Sequence, residues 1–256
     1  MKIGTYIANA QGNIDPQKVF RPLQTILIDV HGKQQYDSVD FLTLAAKLNV
    51  TLINSKTGNQ DSIIPFVTLN LLGEIATMHE GSVIYKNGQD FADGISHLLV
   101  PVLLNPASNL QIDNDKYLDI ELSGLLPGQT VDLYGFETQS LSEMVCKYSK
   151  FSIPIGTSRN TTTVGSNDVL ALPVGGFDSI RLSFTSGVVA DMSPIELDYY
   201  MAKENDLTLT TTNPTDKIIY SRGNHYILDL NGIKSFEIVR DSDSTAAFEF
   251  VLGDLH

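Results

Sequence analysis

Lys116-Tyr117-Leu118-Asp119-Ile120-Glu121-Leu122-Ser123 runs into Gly124-Leu125-Leu126-Pro127-Gly128, and Thr130-Val131-Asp132-Leu133-Tyr134-Gly135-Phe136 follows. Leu118, Ile120 and Leu122 alternate with Asp119, Glu121 and Ser123, and Val131, Leu133 and Gly135 alternate with Asp132, Tyr134 and Phe136. A period of two sends one set of side chains to each face of a sheet, and the Pro-Gly pair between the runs reverses the chain. Such units recur from end to end. The surface that they build is therefore a better candidate for carrying function than any single pocket.

Working outward, expected strands precede this stretch at 24–30, 49–54, 63–72, 82–85 and 96–104, separated by turns such as Lys56-Thr57-Gly58-Asn59, Lys86-Asn87-Gly88 and Asn105-Pro106. Residues 37–48 fit either a helical stripe or the start of a strand. Residues 1–24, with Gly4, Gly12, Pro16 and Pro22 and little periodicity, read as an extended N-terminal arm. After the quoted stretch, Ser140-Leu141-Ser142-Glu143 has the Ser-x-x-Glu capping pattern and predicts a short helix that punctuates the chain near its middle. Expected strands resume at 150–155, 168–172, 179–184, 195–201, 206–212, 217–220, 226–230, 236–240 and 247–252. Ser193-Pro194-Ile195-Glu196 also matches a helix cap. The alternation of Ile195, Leu197, Tyr199 and Met201 with their neighbours favours a strand there.

Each half thus offers enough short strands for two facing sheets, the arithmetic of a jelly roll. The predicted organisation is an arm at 1–24, a first jelly roll at 25–138, a linker helix at 139–148 and a second jelly roll at 149–256. Ile120-Glu121-Leu122-Ser123 resembles Ile180-Arg181-Leu182-Ser183, but the two occupy different places in their halves and do not establish a repeat.

Composition narrows the functional classes. The 256 residues carry 17 basic and 30 acidic side chains, a net charge of −13. No basic patch is available to neutralise phosphates, so no direct contact with nucleic acid is expected. Nothing approaches the ~18 consecutive apolar residues of a membrane span, and the first residues lack the apolar run of a secretory signal, so neither is expected. One cysteine, Cys146, excludes an intrachain disulfide and reads as a small core residue of the linker helix. The absence of tryptophan weakens a sugar-stacking surface, although ten tyrosines could substitute.

The sharpest enzyme candidate is a pair of fragments, Asp29-Val30-His31-Gly32 after a strand and Gly223-Asn224-His225 near the other end. These look like two of the metal-binding motifs of metallophosphoesterases. The bridging carboxylate motif of that family is missing: Gly88-Gln89-Asp90 lacks it, and Tyr226 follows His225 where Glu is usual. Turn residues flanking strands are the preferred reading. Asp113-Asn114-Asp115 with Asp119, and Asp241-Ser242-Asp243, could coordinate calcium but read better as turns. No nucleophile elbow or phosphate loop occurs, and His79, His97 and His256 stand isolated in sequence. No residue is assigned a catalytic, cofactor-binding or metal-ligating role, and no cofactor is expected.

The succession 117–136, the segment 140–146 and the strand beginning at Phe151 resemble the double jelly-roll major capsid proteins of tailless icosahedral viruses, the lineage of membrane-containing bacteriophages and adenovirus. The resemblance implies a non-enzymatic virion protein, soluble in the host cytoplasm before assembly. It implies a homotrimer whose six barrels form a pseudo-hexagonal tile against neighbouring capsid proteins, with the N-terminal arm meeting neighbours or an internal viral membrane. Alternatives are a minor capsid, vertex or spike protein, or a carbohydrate- or receptor-binding β-sandwich; a metallophosphoesterase is the remote one.

Overall fold

Among the described residues, the first part of the chain holds the strands β1 (Lys2–Ile7), β2 (Ile14–Val19), β3 (Thr25–His31), β4 (Lys47–Asn54), β5 (Gln60–Thr68), β6 (His97–Leu103), β7 (Asn109–Leu110), β8 (Lys116–Ser123), β9 (Thr130–Phe136) and β10 (Leu141–Ser142). The computed structural model describes residues 1–32, 45–80, 97–204 and 225–255. One four-stranded sheet has the order β1-β9-β3-β6 and the other β2-β8-β4-β5, with antiparallel pairing throughout both. Helix α1 (Leu69–Glu80) follows β5 directly, so the apolar run expected as a strand to residue 72 turns helical after Thr68. Leu69, Leu71, Leu72, Ile75 and Ala76 are among its buried residues.

The quoted stretch becomes β8 and β9, as its period requires. The two strands do not form a hairpin, however, because they lie in different sheets. The turn between them, with Gly124 and Gly128 both at φ 74°, carries the chain from one sheet to the other. Leu118, Ile120 and Leu122 on one side and Val131 and Leu133 on the other are buried. Each such side chain contributes about 1.5–3 kcal/mol on leaving water.

The second part repeats the plan with β11 (Lys147–Ile153), β12 (Arg159–Thr163), β13 (Val169–Pro173), β14 (Phe177–Phe184), β15 (Val189–Met192), helix α2 (Pro194–Glu204), β16 (His225–Asp229), β17 (Ile233–Arg240) and β18 (Phe248–Asp254). Its sheets are β11-β18-β13-β16 and β12-β17-β14-β15. With the eight main strands of each part counted from its own start, both read 1-8-3-6 and 2-7-4-5, with a helix after the fifth strand. That is the jelly-roll order, present twice. The chain divides into two compact units, Met1–Ser149 with Gly253–His256, and Lys150–Leu252.

Three expectations are corrected. Residues 1–24 are not an arm: they hold β1 and β2, the outermost strands of the two sheets at that end. Pro16 is tolerated because β2 is an edge strand whose register slips between Ile14 and Gln17. The segment 139–148 is not a helix. Asn109 Nδ2 donates to Thr138 O and the Thr138 N–H donates to Asn109 Oδ1, both at 2.7 Å, while Asn105 Nδ2 donates to Met144 O at 2.6 Å. These bonds hold the backbone extended, and β10 pairs in parallel with β7. Cys146 is buried as expected, but outside any helix. Conversely, 195–201 is not a strand but the body of α2. Its capping box is closed, with Ser193 N–H and Oγ donating to Glu196 Oε2 at 2.8 and 2.7 Å. The expected strands at 82–85, 206–212 and 217–220, and most of the ambiguous 37–48, lie outside the described residues.

Candidate functional site

Strand β3 has a clean inner face, Ile26, Ile28 and Val30, all without solvent exposure. Its outer face would ordinarily be wet, yet Asp29 is only 4% exposed there, and Asp132 on β9 only 8%. Buried carboxylates on the outside of a sheet need partners, and the register supplies them. Asp29 lies opposite Asp132, Asp132 opposite Thr5 of β1, and His31 opposite both Thr130 and His97 of β6.

Nδ1 of His97 lies 2.8 and 2.9 Å from the two carboxylate oxygens of Asp29. The His31 ring stacks on that of His97 with centroids 4.6 Å apart. His31 Nε2 is 3.6 Å from Asp132 Oδ2, the same oxygen that accepts from Lys2 Nζ at 2.9 Å and from the Tyr134 hydroxyl at 3.3 Å. His31 Nε2 and Asp132 Oδ1 are buried without a hydrogen-bond partner. Asp29, His31 and His97 each present a ligand atom, all within 4.8 Å of one another.

Burial pushes the carboxyl of Asp29 above its ordinary range; the hydrogen bond with His97 and the charges of both imidazoles pull the other way without cancelling it. Burial also acts to raise Asp132, but hydrogen bonds from Thr5 and Lys2, with the charges of Lys2 and His31, outweigh it and hold that carboxyl low. The hydrogen bond to Asp132 in turn raises Lys2.

Asp29 and His31 belong both to the sequence candidate and to this cluster, in which the third member is His97. His225 begins β16 in the second unit, and Asn224 and Gly88-Gln89-Asp90 lie outside the described residues. Both four-stranded sheets of the first unit are antiparallel, unlike the helix-alternating fold that a metallophosphoesterase needs. His97, isolated in sequence, is a member of the cluster. The acidic loops hold ordinary turn contacts. Asp113 accepts from Lys116 and Gln111, which together hold its carboxyl low, and Asp241 Oδ1 accepts from the Asp243 N–H at 2.8 Å. His79 is described in backbone only, and His256 lies outside the described residues.

Elsewhere the notable feature is exposed apolar surface. In the second unit Val188, Val189, Ile195 (80% exposed) and Tyr199 (73%) stand out. Ile195 and Tyr199 border an open cleft of about 490 Å³ that Asp191, Met192, Glu196 and Tyr200 also line. Ile7, Phe20 and Phe66 are exposed in the first unit. Among the described residues no helix is long and apolar enough to cross a membrane.

No protein-family model and no curated protein matches the sequence. Solved structures do match. An atomic structure of Sulfolobus turreted icosahedral virus aligns over 99% of this chain and 88% of its own, with a TM-score of 0.58 at 12% identity. The major capsid protein P2 of bacteriophage PM2 aligns over 99% and 96%, with a TM-score of 0.49 at 13% identity. PNGase F, a glycosylasparaginase of Flavobacterium meningosepticum, aligns with a TM-score of only 0.30 at 12% identity over 100% and 95%. The first of these shows a shared fold over essentially the whole chain. The two consecutive jelly rolls expected from the sequence are borne out at the level of fold.

Proposed function

We propose that this chain is a structural virion protein, a major capsid protein whose trimers present six jelly rolls as a pseudo-hexagonal tile of an icosahedral shell. The observation that carries the reading is the twice-repeated 1-8-3-6 and 2-7-4-5 strand order, aligned over 99% of the chain with a protein of an icosahedral virus. Two barrels in one polypeptide give a trimer six similar bodies, which lets a three-fold object fill a six-neighbour position in a lattice.

Surface chemistry supports the reading. Ile195, Tyr199, Val188 and Val189 are large apolar groups left in water by the isolated chain, as expected of surfaces that neighbouring subunits cover. The net charge of −13 keeps free subunits apart until specific contacts form. The protein acts by mass action through many symmetric contacts, without a catalytic step, and works in the virion. Contact with a membrane through residues 1–24 is no part of the proposal, because β1 and β2 occupy that segment.

Sedimentation of the purified chain tests it. A species of three chains, persisting on dilution to micromolar concentration, is expected; a stable monomer there would overturn the trimeric tile.

A further inference from the structure

We infer that the outer face of the first sheet binds a divalent transition-metal ion of the zinc class, ligated by the carboxylate of Asp29 and the imidazoles of His31 and His97. The three ligand atoms already lie within 4.8 Å of one another. Ligands at ~2.0–2.2 Å from one tetrahedral ion stand about 3.4 Å apart. The 2.8 Å between His97 Nδ1 and Asp29 must therefore open by about half an ångström, and the widest separation, at most 4.8 Å, close by up to about 1.4 Å, to admit the ion.

The ligands are also well held. Asp29 and His31 lie on one strand with a single residue between them, and His97 lies directly across from His31 on the neighbouring strand. Their spacing is thus fixed by ladder hydrogen bonds rather than by loops, the condition for a preorganised site.

Charge and hydrogen bonding favour a cation. Asp29 and Asp132 are buried directly opposite one another, a like-charge pair that costs stability. Lys2 is hydrogen-bonded to Asp132. A dication on Asp29 would offset the remaining repulsion and the desolvation of its carboxylate. His31 Nε2 is buried, without a hydrogen-bond partner and 3.6 Å from Asp132 Oδ2, so with His31 ligating through Nδ1 the Asp132 carboxylate is placed to hold the ring through Nε2–H.

Two imidazoles and one carboxylate suit zinc and its first-row neighbours rather than calcium or magnesium, which prefer all-oxygen sites. Three protein ligands leave one position for water. The consequence is a staple between β3 and β6, strands whose ligands are 66 to 68 residues apart in sequence. The competing account is a plain hydrogen-bonded His97–Asp29 pair with no affinity for metal.

The full chain, stripped with a chelator, is titrated with Co²⁺ and followed by visible absorbance, then melted with and without Zn²⁺. Ligand-field bands that saturate at one ion per chain and are abolished by Zn²⁺ are expected. So is a rise of about 5 °C or more in the melting midpoint at a hundred-fold excess over Kd. Asp29→Asn and His31→Gln are expected to weaken Co²⁺ binding by more than the roughly 10–100-fold that loss of an outer-sphere partner costs. His225→Gln, in the second unit, should leave it unchanged. No saturable band at micromolar Co²⁺ in the unmutated chain would overturn the site. Binding that survives in both ligand variants, or is lost equally in His225→Gln, would do so too.

Discussion

Gly12 stands at φ 75°, in the turn that Asn9 and Asn13 close, and a Cβ there would run into the backbone oxygen of Leu125. Gly58 has nearly the same φ, 74°, but open space where a Cβ would go. The pair separates conformational strain from collision. Gly58→Ala is expected to cost about 1 kcal/mol, the left-handed penalty alone, and Gly12→Ala at least ~2–3 kcal/mol, measured by chemical denaturation. At this scale the sequence marks glycine positions but not which of them touch a neighbour. The same holds for the histidine–carboxylate cluster. Asp29-x-His31 on an apolar strand is visible as two polar groups on one face, whereas its third member, His97, comes from a strand pairing that no local pattern announces.

Among elements, α2 shows why alternation alone misleads. Ile195, Leu197, Tyr199 and Met201 fit a period of two, but Leu197 and Met201 are also four apart, and only those two are buried. The helix buries one stripe and leaves Ile195 and Tyr199 in water, the opposite of what a half-buried strand would do. Its cap fixes the outcome, so Ser193→Ala is expected to destabilise the unit by about 1 kcal/mol in a thermal melt.

The pH dependence of that cap has a definite sign. The Ser193 backbone N–H and hydroxyl hold the Glu196 carboxyl below its ordinary value of 4.5. A lowered carboxylate contributes stability that is complete above the ordinary value and is lost as pH falls through the folded one. The protection factors of the α2 amides, corrected for intrinsic exchange, should therefore fall on acidification below about pH 4.5, and that pH dependence should flatten in Glu196→Gln.

In β17, Phe236 is buried and meets Phe250 edge-on at 5.8 Å. Phe236→Ala is expected to cost about 3–5 kcal/mol by denaturant titration. Such strands were legible because their period is uninterrupted. β1 and β2 were not, because Gly4, the Gly12 turn and Pro16 break the pattern where edge strands tolerate it.

The whole molecule carries one strand order twice, without an internal repeat that the sequence establishes. The echo between Ile120–Ser123 and Ile180–Ser183 joins the seventh strand of one unit to the fourth of the other, so it reflects a shared period rather than equivalent strands. Alternation dictates which side chains face inward but not which strands pair. The two-barrel class was therefore accessible from strand count, while strand order and the helix after each fifth strand emerged only from the pairing. Negative-stain electron microscopy of the purified chain tests the tile most directly. The account predicts particles with three-fold averaging and a hexagonal outline; isolated two-lobed particles with no higher symmetry would contradict it.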